Sequence, residues 1–467
     1  MIIEREVLVI GGGPTGSIVA TLLARQGHQV LLVSAEKREG GLPVETVVPG
    51  AAATLERLGL KAIIDPAGGK NIVLEGPSRH GRCWSHSDLE IEDLAPAERG
   101  WRFLRPAFDR WLREQALTAG VEFFERTRAT GNLPATGSGE VHLDQDGKSI
   151  TVAASLVIAA TGRNTGAPLL PVEITDRLPE MIALSAVIES TAEEAQSSLI
   201  EAVAEGWLWW LPIDEARISL ALFCDPAQVK ALGRDEVWNS ALQAARGPAR
   251  DIHSSSSRGT LATARFQQSS GQLFLAGDAI SAIDPLSSQG LEKALVSAEA
   301  TARAARTVLL GKADQQTMVD HRQRWERRLF RLHRQRAIDL YHVENRFSQH
   351  PFWTARQRLD NQQHSISAPL PQRLVAAPQL HHESRWVAED DHLVARPGIR
   401  LNDSDEEAID QIGSIPSAVL LELVGDGIEL SQLHSRASRM PFFIQQSPAT
   451  LTKILHEMYR LGLLIQG

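Results

Sequence analysis

Apolar residues in this chain gather into short unbroken runs at its start and again near positions 157 and 274, and each run ends in glycine. Residues 6–10 are β-rich and almost wholly apolar, the pattern of a parallel strand buried on both faces. Gly11, Gly12, Gly13, Pro14, Thr15 and Gly16 follow at once; then come a helical stretch over 17–26, Gly27, and a second apolar run over 29–34. Residues 155–160 repeat the strand pattern and lead into Thr161, Gly162, Arg163 and Asn164. Residues 272–279 repeat it once more and break at Gly277 and Asp278, ahead of Pro285, Gly290 and an alanine-rich helix predicted from Leu291 to Leu310.

Between these pieces the pattern changes. Residues 182–188, 204–212 and 218–223 read as apolar or alternating strands of an antiparallel sheet. Over 321–336, Trp325, Leu329 and Leu332 recur at helical spacing beside arginines 322, 324, 327, 328, 331, 334 and 336, with Glu326 the sole acid. That predicts an amphipathic helix with a basic face, either a solvated surface or a docking patch for an acidic protein. Residues 360–385, with prolines at 369, 371 and 378, read as linker, and 417–424, 430–437 and 449–461 are three helical patterns. The predicted fold class is α/β: a Rossmann-type domain (1–70, 101–170, 271–355) interleaved with a mixed or antiparallel β-sheet domain (71–100, 171–270). A linker over 356–399 and a small C-terminal helical domain over 400–467, similar to a winged helix, complete it.

The first glycines carry the chemistry. Glycines at 11, 13 and 16 form G-x-G-x-x-G between a strand and a helix. Gly11 permits the tight turn, Gly13 lets backbone approach a pyrophosphate, and Gly16 allows close helix packing. Pro14 and Thr15 open a helix whose positive end faces the phosphates. The acid that usually grips the adenosine ribose at the end of the second strand is Ser34 here, and Glu36 is the candidate substitute. Asp278, at a strand end, is placed to accept from sugar hydroxyls, and the glycine-opened helix after Gly290 aims N–H groups at what lies before it.

Composition narrows the classes. Of 467 residues 43% are hydrophobic and 22% charged, which fits a multidomain soluble protein. No apolar run nears the ~20 residues that cross a bilayer, and the start reads as a strand, not a signal peptide, so no membrane role and a cytoplasmic location are expected. Two cysteines, Cys83 and Cys224, exclude a cysteine-built zinc site or a disulfide framework, and no metal is expected. The net charge of -9 speaks against nucleic acid. So does the C-terminal segment, where Arg400, Arg436, Arg439, Lys453 and Arg460 face nine acids.

The G-x-G-x-x-G start, the Gly277-Asp278 segment and residues 105–112 (Arg-Pro-Ala-Phe-Asp-Arg-Trp-Leu) together resemble the FAD-dependent monooxygenase and halogenase superfamily. The resemblance covers about residues 1–355. It implies FAD as cofactor, with Asp278 near the ribityl chain, Arg105 against the cofactor, and Thr161 and Gly162 at the turn that closes the fold. Glu45 and Thr46 resemble the loop that runs beside the flavin ring. Thr161 stands where the hydroxylase branch usually has Asp, so the mode of nicotinamide binding departs from that pattern. No second G-x-G-x-x-G is present, so transient NAD(P)H or a separate reductase is the expected electron donor, with O2 as cosubstrate.

Three features divide the superfamily. Residues 206–212 resemble the W-x-W-x-I-P element of flavin halogenases, which makes Trp207 and Trp209 candidate substrate-binding residues; plain strand packing is the alternative, and geranylgeranyl-reductase-like enzymes carry a related strand. Halogenases need a lysine for hypohalous acid, and Lys61 and Lys70 are the candidates, although surface lysines are the commoner reading. Residues 285–290 are similar to the loop of flavoproteins that modify tryptophan during maturation of quinone-containing amine oxidases and dehydrogenases, and residues 341–353 resemble a helix end shared by those enzymes and halogenases. The nearest resemblance is to the branch that matures quinohemoprotein amine dehydrogenase. That branch implies hydroxylation of an electron-rich aromatic, a tryptophan in a peptide or small protein that docks on the Arg322–Arg336 helix or the C-terminal domain. Halogenation of an aromatic is the alternative, and a non-catalytic flavoprotein escort is a third reading. No catalytic side chain is assigned; His80, His86 and Glu45 are candidate helpers.

Overall fold

The computed structural model describes residues 2–35, 43–47, 49, 51–64, 72–85, 88–163, 170–247, 258–359, 370–401, 408–409, 411–412, 415–437, 440 and 448–467. The chain divides into two units, Met1–Ala305 with Leu329–Asn361, and Arg306–Arg328 with Gln362–Gly467. The fold is mixed α/β.

In the first unit, the apolar run at the start forms the strand Ile2–Ile10, whose Val7, Leu8 and Val9 are fully buried. It pairs in parallel with Val30–Val33 on one side and with the C-terminal part of Lys148–Ala159 on the other. Glu122–Phe124 extends the sheet beyond Val30–Val33, and Phe274–Leu275 pairs in parallel with Ile158 and Ala159. Lys148–Ala159 is long enough to do a second job: its first half pairs antiparallel with Gly139–Gln145. Helix Pro14–Arg25 follows the first strand.

The second sheet of this unit has strand order Arg258–Leu261, Ile182–Glu189, Arg217–Cys224, Gly206–Pro212, Ser197–Val203, Arg79–Cys83, Glu90–Asp93. It is antiparallel except where Ser197–Val203 meets Arg79–Cys83. Its strands come from both segments outside the Rossmann pieces, so the chain leaves the nucleotide-binding fold twice to build one sheet. A short sheet of Val44–Val47, Trp101–Leu104 and Val73–Glu75 delivers the chain into helix Arg105–Thr118.

The second unit differs from the expected linker and helical domain. Residues 373–401 contain the strand Arg373–Ala376 and a hairpin of two ten-residue strands, Leu380–Glu389 with His392–Leu401. The first hairpin strand buries no residue and the second buries Leu393, Gly398 and Ile399 around an exposed Pro397, a proline that speaks against a strand, so neither writes a clean period-two apolar signal. Asp390 takes positive φ at the turn between them. Helices Ser417–Val424, Leu433–Ala437 and Pro448–Arg460 lie within or close to the three helical patterns, around a core of Leu420, Leu423, Leu451, Leu455 and Met458. Among the described residues no helix is long and apolar enough to cross a membrane.

Candidate flavin site

Glu122–Phe124, Val30–Val33, Ile2–Ile10, Lys148–Ala159 and Phe274–Leu275 run in parallel, so their carboxyl ends lie at one edge of the sheet. Ligands of open parallel sheets bind outside those ends. The residues that follow are Ser34, the glycine turn, Thr161-Gly162 and Gly277-Asp278. Segments scattered through the sequence are thereby brought to one edge.

The three motif glycines have separate reasons to be glycine. Gly11 sits at φ +118°, and a Cβ there would lie 2.2 Å from the Ala160 carbonyl oxygen. A Cβ on Gly16 would lie 1.9 Å from the Gly11 carbonyl oxygen. A Cβ on Gly13 would meet nothing within 4 Å. Gly13 therefore borders open space, at the N-cap of helix Pro14–Arg25, where no side chain caps the exposed N–H groups. Gly277, at φ +64°, closes on the same turn. A Cβ on it would lie 2.4 Å from Thr15 Oγ1.

Side chains from three further elements reach this edge. Asp278 accepts from Arg163 Nε at 3.1 Å, and the same guanidinium donates to the carbonyls of Ala262 at 2.8 Å and Ile283 at 3.0 Å. Arg113, from helix Arg105–Thr118, donates to the Gly12 carbonyl at 3.3 Å. Half-buried Ser34 packs against Gly12 too: a Cβ there would lie 2.7 Å from that of Ser34. Glu36 lies outside the described residues. Arg105 forms ion pairs with Glu45, from strand Val44–Val47, and with Asp109 at 3.3 Å. Burial opposes its charge, yet Glu45 and Asp109 outweigh burial and hold its pKa above the usual value. Thr46 is half-buried, in register with Arg102.

Beyond Asp278, Pro285–Ser287 forms one turn of 3-10 helix capped by Asp284, whose side chain accepts from the Leu286 N–H at 2.9 Å. Tyr341 donates its hydroxyl to Asp284 at 3.0 Å. Burial pushes the Asp284 carboxyl up, while the Leu286 N–H, Arg356, Tyr341 and Arg163 pull the other way. Gly290 then opens helix Gly290–Leu309 with nothing within 4 Å of its Cβ position, and Leu291 is buried.

The other candidates are placed differently. Trp207 is buried and stacked on Phe223, ring centroids 3.9 Å apart, whereas Trp209 is half-buried. His80 bonds Ser198 Oγ at 3.1 Å across the one parallel pairing of the second sheet, and burial lowers its pKa. Lys61 pairs with Glu56 at 2.8 Å on the surface; Lys70 and His86 lie outside the described residues.

Helix Gln315–Val343 is longer than expected and turns a different face inward: Phe330, Ala337, Ile338 and Tyr341 are buried and Leu332 is 54% exposed. Its arginines are largely engaged. Arg322 pairs with buried Glu326 at 2.7 Å, Arg324 with Glu383 at 3.4 Å, Arg334 with Asp176 at 3.7 Å, and Arg336 donates to Gln289 at 2.9 Å.

Arg113, Arg163 and Lys293 were not singled out from the sequence. Arg163 adjoins the Thr161-Gly162 turn, but its pairing with Asp278 spans 115 residues, which no local pattern encodes. Lys293 offered a fainter signal, a lone cation on the face of an alanine-rich helix that is buried.

A family model described as FAD binding domain matches residues 4–330. The chain belongs to that family. This flavoprotein is an FAD-dependent oxidoreductase of the monooxygenase and halogenase superfamily. It is 24% identical over 383 residues to a tryptophan 2-halogenase of Chondromyces crocatus, covering 76% of this chain and 71% of that one. Its fold is similar to that of the peptidyl tryptophan dihydroxylase QhpG, with TM-score 0.71, 23% identity and coverage of 98% of this chain and 100% of that one. It is likewise similar to the flavin-dependent halogenase CmlS, with TM-score 0.74, 18% identity and coverage of 99% and 98%.

The residues at the sheet edge fit FAD. Gly13 leaves room for a pyrophosphate beside an uncapped helix end. Thr161 Oγ1 is buried without a hydrogen-bond partner among the described residues, the kind of orphan that a ligand satisfies. Asp278 keeps 29% of its side chain exposed beside Arg163 and so has an oxygen edge to offer.

Proposed function

We propose that this flavoprotein is a monooxygenase that hydroxylates an electron-rich aromatic ring, a tryptophan in a peptide or small protein subunit during quinone cofactor biogenesis. One observation carries the choice of hydroxylation over halogenation. Among the described residues of the nucleotide-binding unit, each lysine is accounted for away from an open site. Lys61 is tied to Glu56, Lys148 and Lys230 are exposed, and Lys293 is buried against backbone carbonyls. Among the described residues a hypohalous-acid route finds no lysine bonded at the flavin site other than buried Lys293, and Lys37 and Lys70 lie outside those residues. The name of QhpG and the likeness of its fold over the full chain support the peptidyl substrate.

Bound FAD supplies electron transfer and oxygen activation with electrons from NAD(P)H or a reductase. The glycine turn and the two helix starts would hold its phosphates and ring edge, Arg163 orients Asp278, and Arg105 with Glu45 would line the ring side. Trp207 and its apolar neighbours exclude water from the sheet face. Trp209, half-buried on the same strand, is the aromatic contact for the substrate. The reaction asks little acid–base chemistry of the protein, in keeping with the absence of an assigned catalytic side chain.

The test is incubation of enzyme, reductant and O2 with tryptophan-containing peptides, with and without chloride or bromide, followed by mass spectrometry. Oxygen insertion that is indifferent to halide supports the proposal; a halide-dependent mass gain establishes the halogenase alternative instead.

A further inference from the structure

Gly277 is held at both ends of its peptide by one helix. Its N–H donates to Ser297 Oγ at 3.0 Å, and its carbonyl accepts from Lys293 Nζ at 2.8 Å. The same ammonium donates to the Ser281 carbonyl, so it spans the turn that carries Asp278. Lys293 is 2% exposed and is the fourth residue of helix Gly290–Leu309. Two rules count against it there: burial penalises a cation, and the positive end of a helix repels one. Residues that break local rules without a packing reward mark sites where charge has a use. Here an uncharged side chain would fill the position without desolvating an ammonium, so what the charge gains is its hold on the Gly277 and Ser281 carbonyls.

We propose that Lys293 is a positioning residue that locks the Gly277–Ser281 turn and sets a buried positive charge behind the flavin site, so that FAD is bound more tightly reduced than oxidised. The inference rests on the FAD reading. Two-electron reduction with uptake of one proton leaves the ring system with one more negative charge, and the ammonium favours that form through the low-dielectric turn. Arg163 and Asp278 in front of it form a pair whose charges offset one another. The helix start after Gly290 adds its partial charge to that of Lys293.

The experiment is a redox titration of FAD-loaded wild type, Lys293→Met and Lys293→Arg against a dye of known potential. The wild-type midpoint is expected above that of free FAD. Lys293→Met is expected about 30 mV or more lower, equivalent to a tenfold loss of preference for reduced flavin. Lys293→Arg keeps most of the wild-type value. A Lys293→Met protein that holds FAD at the wild-type midpoint overturns the inference, as does Lys293→Arg falling as far as Lys293→Met. Should neither variant retain FAD, a wild-type midpoint at or below free FAD overturns it and one above supports it. A wild type that takes up no FAD defeats the cofactor reading and this inference together.

Discussion

Gly277 and Thr15 meet so closely that a Cβ on the glycine would lie 2.4 Å from the threonine Oγ1. They are 262 positions apart in the numbering, one on the turn after the last parallel strand and the other in the first turn of the first helix. This contact joins the two glycine turns into one site.

Gly277→Ala tests that junction. At φ +64° an added methyl is strained by its own backbone as well as by Thr15, so a loss of about 1–3 kcal/mol is expected in chemical denaturation. FAD affinity falls with it. The double variant Gly277→Ala, Thr15→Ala recovers part of both losses, because the hydroxyl oxygen nearest the added methyl is gone.

Asp278→Asn keeps the shape and removes the charge that Arg163 balances. FAD affinity, followed by flavin fluorescence, is expected to drop about tenfold, or ~1.4 kcal/mol. Stability changes little, since both partners are over a fifth exposed and such pairs contribute roughly 0–1 kcal/mol. Arg163→Met is worse for folding, because it also strands the Ala262 and Ile283 carbonyls.

Trp207→Ala is expected to destabilise by about 3–5 kcal/mol, the usual cost of emptying a core aromatic site, since Trp207 is buried against Phe223. Trp209→Ala costs less stability and shows its effect in substrate KM. Thermal melts and steady-state kinetics on the pair separate packing from recognition.

Buried His321 gives the second unit an acid sensitivity. Burial, aided by Arg322, Arg324 and Arg385, lowers its pKa from 6.5 to about 3. The unfolded chain therefore binds a proton that the folded chain refuses. Stability is full above pH 6.5 and declines as pH falls towards 3 by up to about 1.4 kcal/mol per unit. His321→Gln flattens that slope in denaturation curves taken across the window.

The glycine motifs were legible because each needs a residue type at a fixed spacing within one turn. Gly11, Gly13 and Gly16 carry different duties in the sequence pattern, and the structure sets Gly11 and Gly16 against different carbonyls and Gly13 against open space. The apolar strands were legible for the same reason, being buried on both faces. The partners of Asp278 and Gly277 were not, because Arg163 and Lys293 reach them through the fold. Nor was the hairpin at Leu380–Leu401, whose first strand buries no residue and whose second is interrupted by Pro397. In helix Gln315–Val343 the arginines suggested a free basic face; ion pairs with Glu326, Glu383 and Asp176 use three of them.

Titration of flavin-free protein with FAD, comparing wild type with Gly13→Val, puts the converging glycine turns to the most direct test. The account predicts saturable uptake of one FAD per wild-type chain, and at least a ~100-fold loss, or about 2.7 kcal/mol, in the valine variant, whose circular dichroism stays native. Undiminished uptake by a natively folded Gly13→Val, or none by the wild type, would contradict it.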